Sequence, residues 1–248
     1  MKTLVVLPTY NEAGTITEIV ERSLASHPSV HTLVVDDNSP DGTGRLADAI
    51  AARDARVAVL HRPGKGGLGP AYLAGFAWAL ERDFEAIVEM DSDLSHDPAD
   101  IARLIDALAS NDVVIGSRYV RGGGTRNWSK RRELISRAGN LYARLLLRFH
   151  LSDATSGFRI YRRAVLETLP LHDIRSAGYG FQVEMAWRAW VLGFRVGEIP
   201  IIFSERREGA SKMSERIVEE AAWRVLRWAL KWERPPRESH PRSVARSA

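Results

Sequence analysis

A mostly parallel α/β sheet with helices on both faces is the architecture this sequence predicts. Three observations carry the prediction. Short β-branched runs alternate with longer stretches of helical apolar spacing, as in repeated βαβ units. Right-handed crossovers between such strands then place helices on both faces. Each apolar run also gives way to a polar, charged or glycine-rich stretch, and ligands of open α/β sheets sit beyond the carboxyl ends of the strands.

The elements follow in order. Strand-like runs span 3–7, 33–36, 57–60, 86–90 and 113–117, with helix-like stretches over 13–26, 43–52, 68–82 and 98–109 between them. Pro8-Thr9-Tyr10-Asn11-Glu12 follows the first strand, and Asp36-Asp37-Asn38-Ser39-Pro40-Asp41-Gly42-Thr43 the second. "HRPGKGGLGPA" follows the third, "EMDSDLSHDP" the fourth, and Arg118-Tyr119-Val120-Arg121-Gly122-Gly123-Gly124 the fifth. Five such loops on one sheet edge would form a site. The second half is less regular. An arginine-rich amphipathic helix over 131–149 precedes "DATSGFRIYRR", and "GYGFQVEMAWRAWVLG" leads into the strand-like "RVGEIPIIF". The polar loop "SERREGASKMSE" then leads to a long helix over 214–232. Residues 1–232 are expected to form one domain, and 233–248 a disordered basic tail without apolar periodicity.

Composition narrows the classes. The 248 residues are 45% hydrophobic with a net charge of +4, so a core is affordable and disorder is excluded for most of the chain. All but five of the 35 basic residues are arginines. The arginine fork suits phosphate, although the bias alone does not establish phosphate binding. Cysteine is absent, which removes disulfides and thiolate metal sites. Met1 leads directly into "TLVVLP", too short a run for a signal peptide. No apolar run approaches the ~20 residues of a membrane span. The expected compartment is the cytoplasm.

Asp91-Ser92-Asp93 is the sharpest signal. Two carboxylates one residue apart, after a buried strand, can both reach a divalent cation if the turn departs from strand geometry. Mg²⁺ or Mn²⁺ favours such hard oxygen ligands, completed by substrate phosphates and water. A solvated acidic loop is the plain alternative. Asp97, with Pro98 behind it, reads as a helix N-cap. Gly64–Gly69 contains G-x-G-x-x-G, the basis of a distant alternative, a nicotinamide-dependent oxidoreductase. That fingerprint belongs after the first strand, however, and here the loop follows the third. A flexible loop whose amides approach a ligand is the simpler reading. Of Asp36 and Asp37, one could bond a ribose or base while the other caps the turn. Arg206, Arg207 and Lys212 suit an anionic ligand, with a solvated basic loop as the plain alternative. The helices over 131–149 and 214–232 are packing helices or, alternatively, interfacial ones. A nucleic-acid partner is not expected, because the basic clusters flank an acidic centre rather than forming a stripe.

"VVLPTYNE", "VVDDNSPDGT", "GKGGLGPAYLAGF", "EMDSDLSHDP", "VIGSRY", "DATSGFRIYRR", "GYGFQVEM" and "RREGASK" together resemble the family 2 glycosyltransferases. More narrowly, they resemble the polyprenol-phosphate (dolichol-phosphate) mannosyltransferases. The resemblance runs from Lys2 to about Lys212 and implies the nucleotide-sugar-binding GT-A fold. It implies that Pro8, Tyr10, Glu12, Val35 and Asp37 surround the nucleotide, with Gln182, Arg206 and Lys212 also on the nucleotide sugar. Asp91, Ser92 and Asp93 would lie along the diphosphate, with Asp91, Asp93 and Ser95 as candidate metal ligands. Ser95 stands where some relatives carry a glutamine ligand. Arg118, Arg131 and Ser156 would meet the acceptor phosphate, and Asp91, Asp93 and Arg118 would carry the catalysis. The implied reaction is inverting transfer of mannose from GDP-mannose to a polyprenyl monophosphate; UDP-glucose is the alternative donor. Many relatives have C-terminal transmembrane helices, and this chain has no run long enough for one. The expected location is therefore peripheral, on the cytoplasmic face of the membrane, with a separate integral-membrane subunit as a further partner.

Overall fold

The computed structural model describes residues 1–174, 176, 178–205 and 215–230, and the backbone alone over 215–221. The tail expected to be disordered, Arg206 and Lys212 lie outside the described residues.

The chain runs β1 (Thr3–Thr9), α1 (Ile16–Ser26), β2 (Val30–Asp36), α2 (Thr43–Ala51), β3 (Val57–His61), α3 (Leu68–Leu80), β4 (Ala86–Glu89), α4 (Asp100–Ala107) and β5 (Val113–Ser117). This half matches the expected elements, with ends shifted by a few residues. There follow β6 (Gly124–Arg126), α5 (Lys130–Leu147), β7 (Arg159–Arg162), α6 (Arg163–Thr168), a 3₁₀ turn (Leu171–Asp173) and α7 (Tyr179–Val191). β8 (Val196–Pro200), β9 (Ile202–Ser204) and α8 (Glu215–Leu230) complete the described elements. The single strand expected from "RVGEIPIIF" is two, β8 and β9. Ile201 is not part of either strand, and its N–H donates to the Ser117 carbonyl. β9 then pairs in parallel with β6 as a separate two-stranded sheet.

The main sheet has the order β3-β2-β1-β4-β7-β5-β8. All its pairings are parallel except those of β7, which is antiparallel to both β4 and β5. Strands buried on both faces read as continuous apolar runs, and these do. Within β1, Leu4 and Val6 enter one core and Val5 and Leu7 the other, as the two-residue strand period requires. The first core holds Tyr72 and Phe76 of α3, Ala143 and Leu147 of α5, and Phe181 and Met185 of α7. The second holds Ile16 and Ile19 of α1, Ala47 of α2, and Ile101 and Leu104 of α4. From β1 the chain passes to β2 on one side, while β4 pairs on the other. That reversal opens a crevice at the carboxyl ends of β1 and β4, the usual binding position in such sheets.

Candidate active site

A cavity of about 930 Å³ opens at this crevice. Pro8, Tyr10 and Glu12 reach it from β1, Asp37 from β2 and Lys65 to Leu68 from the loop after β3. Asp91, Ser92 and Asp93 arrive from β4, Arg118 from β5, Ser156 and Gly157 from the segment before β7, and Gln182 from the first turn of α7. The loops expected to converge do so.

The acidic pair lies beyond the end of β4, so both carboxylates escape the alternation of a strand. Leu94 takes a left-handed backbone (φ 61°), unusual for a residue with a Cβ, and turns the chain immediately after the pair. Asp93 is buried, and its Oδ1 accepts the Ser95 N–H at 3.1 Å. Asp91 is partly exposed. Its carboxylate lies near the Gln182 amide, because a Cβ added to Gly157 would stand 3.6 Å from Gln182 Nε2 and 3.7 Å from Asp91 Oδ1. Two hard-oxygen donors on the cavity wall fit a divalent cation whose other positions go to diphosphate and water. Ser95 does not fit that set: its hydroxyl is buried without a partner and is not on the cavity wall. Ser92 lines the cavity, but its hydroxyl donates to the Pro8 carbonyl at 2.8 Å, tying β4 to β1 rather than facing a diphosphate. Asp97 stands one turn ahead of the expected place: the N-cap of α4 is Ala99, and Asp97 Oδ1 accepts the Ala99 N–H at 3.0 Å in the turn before the helix, with Arg22 paired to it.

Two residues behind the pair were not foreseen. His96 is buried between the Phe158 and Phe203 rings and accepts the Asp91 N–H on Nδ1 at 3.4 Å. Burial lowers its pKa to about 4; the Asp93 charge opposes the shift and the Arg118 charge adds to it. Glu89, the last residue of β4, is fully buried, and burial raises it to about 7 against the opposing charge of Arg159. Gln182 and Tyr161 stand near enough to favour its ionised form without meeting strict hydrogen-bond geometry. Arg159, opposite Glu89 across the β4–β7 ladder, donates to the carbonyls of Ala154, Ser156 and Gln182 at 2.5–2.6 Å. It thereby fixes the backbone that carries Ser156 and Gln182.

The second-strand acids divide their work. Asp36 accepts from Ser39 N–H, Ser39 Oγ and Thr9 Oγ1, closing the turn. Asp37 pairs with Arg62 and accepts the N–H groups of Gly66 (2.8 Å) and Gly67 (3.2 Å). Those loop amides, expected to approach a ligand, are turned onto Asp37 instead. Asp37 reaches the cavity wall while also shaping the loop, and Lys65 extends from it to sit 4.2 Å from the Tyr10 ring. Val35 departs from expectation. Its side chain is fully buried against α3, because position 35 falls on the core face of β2.

On the basic side, Arg118 is buried and forked onto Asp153, with Nε to Oδ2 at 2.7 Å and an Nη to Oδ1 at 2.6 Å. The same Nη reaches Thr155 Oγ1 at 2.8 Å. Burial alone would lower the arginine and raise the aspartate. Their mutual attraction and hydrogen bonds reverse both, so the pair stays ionised. Glu198 accepts the Ser152 and Asp153 N–H groups at 2.8 and 2.9 Å and holds that segment in place. Arg118 is thus a wall residue already partnered rather than a free phosphate ligand. Arg131 is exposed and absent from the cavity wall. Its neighbour Arg132 lines the cavity, stacked at 4.0 Å on Trp128 and paired with Glu205 at 3.0 Å. The phase follows from Ser129, whose side chain caps α5 by accepting the Arg132 N–H. That serine, read as an N-cap, is the sequence signal that separates the two arginines. Among the described residues no cluster of three or more His, Cys, Asp or Glu side chains could hold a metal, so any cation relies on the acidic pair and its substrate.

An acidic pair at the switch point of this sheet, with Arg118 and Arg132 on the same cavity wall, fits a glycosyltransferase of the GT-A class. Structures of glucosyl-3-phosphoglycerate synthase from Mycobacterium tuberculosis share the fold. The complex with UDP superposes with a TM-score of 0.66 at 20% identity, covering 92% of this chain and 80% of that one. The complex with Mn²⁺ and UDP-glucose gives 0.64 at 21%, covering 91% and 76%. The chain belongs to glycosyl transferase family 2, whose description matches residues 4–169. It is 51% identical to the polyprenol monophosphomannose synthase of Mycolicibacterium smegmatis, over 93% of this chain and 88% of the relative. It is 50% identical to the undecaprenyl-phosphate mannosyltransferase of Micrococcus luteus, over 94% and 97%.

Proposed function

We propose that this enzyme transfers mannose from GDP-mannose to a polyprenyl monophosphate, with inversion at the sugar carbon. The observation that carries the reading is similarity along nearly the whole chain, at about half identity, to two proteins named for joining mannose to a polyprenyl phosphate. The cavity chemistry agrees with it. Asp91 and Asp93 would hold Mg²⁺ or Mn²⁺, which supplies Lewis acidity to the departing diphosphate. Tyr10, Pro8, Glu12 and Asp37 flank the nucleotide, with Lys65 as an added cation at that end. Gln182 borders the sugar, and Ser156 the acceptor phosphate. Arg132, beside the Arg118–Asp153 pair, receives the acceptor phosphate, and Arg206 and Lys212 are retained as further phosphate ligands.

The acceptor needs no strong general base. A phosphate monoester has its second pKa near 6, so its oxygen is already anionic at neutral pH. That oxygen forms the new bond to the mannosyl C1 as the bond from C1 to the β-phosphate oxygen breaks. The electron pair leaves with GDP and no proton changes hands. One in-line displacement converts an α-linked donor to a β-linked product.

The acceptor is a membrane lipid, whereas no described helix is long and apolar enough to cross a bilayer. Attachment is assigned to the outer face of α5. Leu134 (69% exposed), Leu141 (46%) and Leu145 (66%) recur there at i, i+7 and i+11, on one side of the helix. Exposed Arg131, Arg137, Arg144 and Arg148 flank them. Apolar bulk between arginines is the pattern of a helix lying in an anionic interface, here the cytoplasmic face.

Incubation of the full chain with radiolabelled GDP-mannose, Mn²⁺ and undecaprenyl phosphate tests the reading. The expected product is an acid-labile, β-linked mannolipid. Preferential use of UDP-glucose, or an α-linked product, would overturn it.

A further inference from the structure

Beyond Arg118 the main cavity continues into a second chamber of about 110 Å³ between α5, α7 and α8. Its inner walls are Ile135, Ser136, Gly139, Tyr142, Ala143, Val183, Ala222 and Val225, mostly apolar; of the two hydroxyl groups among them, that of Tyr142 donates to the Ala222 carbonyl at 3.1 Å. Arg118, Trp128, Arg132, Thr155 and Tyr179 line both spaces and so form a shared mouth. Two donors at that mouth, Arg132 Nε and Trp128 Nε1, are buried with no hydrogen-bond partner among the described residues. An anion placed there would satisfy them. A group tethered to that anion and pointing away from the acidic pair would enter the apolar chamber. Gly139 faces open space on this wall, since a Cβ added to it would meet nothing within 4 Å.

Accepting the transfer reaction proposed above, we propose that this chamber takes the first isoprene unit of the acceptor, immediately after its phosphate. A dry cavity of about 150 Å³ accommodates a benzene ring, so the chamber is on the scale of one branched isoprene unit. The chamber then makes α5 two-sided. Its inner face receives the first unit of the lipid, and its outer leucines face the bilayer that holds the remainder. A competing place for the chain is the apolar arm of the main cavity along α3, lined by Leu73, Ala77, Leu80, Leu171 and Ile174. That arm is walled by α3, which starts just after the Lys65 loop, and none of these residues lines the second chamber.

The test uses small phosphates as inhibitors of mannolipid formation by the full chain. Dimethylallyl phosphate carries one isoprene unit and methyl phosphate carries none. If the unit occupies the chamber, dimethylallyl phosphate should inhibit at least about tenfold more tightly, the scale of filling a small apolar pocket. Gly139→Leu should fill the space and erase that preference, while the KM for GDP-mannose stays within about twofold. Ile135→Trp, at a partly exposed wall position, should do the same and serves if the first variant is unstable. Ala77→Trp, on the α3 arm, should leave the preference intact. A parent without the preference, chamber variants that keep it, or its loss in Ala77→Trp alone would each overturn the assignment. A parent that makes no mannolipid from undecaprenyl phosphate would instead bring down the functional reading, and the chamber's role with it.

Discussion

Asp93 and Asp91 differ in setting, and their substitutions should differ too. Asp93 is buried against the Ser95 amide, whereas Asp91 stands half-open beside Gln182. Asp93→Asn removes charge without removing volume. If that charge holds the cation, several kcal/mol of transition-state stabilisation go with it, and initial rates should fall by about 100-fold or more. Asp91→Asn should also be severe. Asp97→Asn should stay within about twofold, since Asp97 is off the cavity wall and an asparagine oxygen can still accept the Ala99 N–H. Glu89 offers a stability test. Its pKa rises from 4.5 unfolded to about 7 folded, so the unfolded state releases its proton first. Its neutral form is tolerated fully below pH 4.5, and stability is lost as the pH climbs from there to about 7. Glu89→Gln cannot ionise. Measured by denaturant titration, the variant should gain on the parent between pH 5 and pH 8, on the order of 3 kcal/mol at full effect. A constant difference across that range would show that Glu89 does not titrate there. The acidic pair, Tyr10 and Arg118 were legible because their residue types announce chemistry and they follow strands. The burial of Val35 and Ser95 was not, since facing direction depends on register and turn shape.

At the scale of elements, α5 contributes in three ways: it caps at Ser129, carries Arg132 to the cavity and leaves Gly139 open. A glycine inside a helix costs about 1 kcal/mol relative to alanine. Gly139→Ala should therefore raise the melting temperature by about 2–4 °C for a chain of this size. The segment before β7 is held by the Arg118–Asp153 pair. Asp153→Asn leaves a buried guanidinium without its counter-charge and should cost about 3–5 kcal/mol in denaturant unfolding. A loss below 1 kcal/mol would mean that solvent reaches the arginine. The helix over 131–149 was legible from its periodicity. Its inward arginine was missed by one position, because a single residue turns a side chain by about 100° around a helix. β6 was missed altogether: Gly124-Thr125-Arg126 has no strand signature and becomes a strand only by pairing with β9.

For the whole molecule, the exposed leucines of α5 and the arginines beside them predict salt-sensitive association with anionic liposomes. Each base near such a surface contributes about 1 kcal/mol, and raising salt to 1 M shortens the screening length to about 3 Å. The parent should float with vesicles at low salt and lose most of that at high salt. Arg131→Glu/Arg144→Glu should float poorly even at low salt, with soluble-donor binding unchanged; equal flotation would move attachment elsewhere. α8, with Trp223 65% exposed, is the element to probe next for a membrane subunit. The alternation of strands and helices made the sheet legible through β5. The strand order beyond β4 was not legible, because pairing partners far apart in sequence leave no local pattern.

β7 lies between β4 and β5, and neither of those strands pairs with the other. The strand leading to the acidic pair and the strand leading to Arg118 are therefore bridged only by residues 159–162. During synthesis the first five strands emerge well before that bridge exists. β4 then waits with an open edge on one side and β5 with open edges on both. Long-range closure of this kind is slow, and open edges are where nascent chains pair wrongly. Weakened pairing at β7 should thus appear first as poor yield and aggregation at the ribosome, before any catalytic defect can be measured.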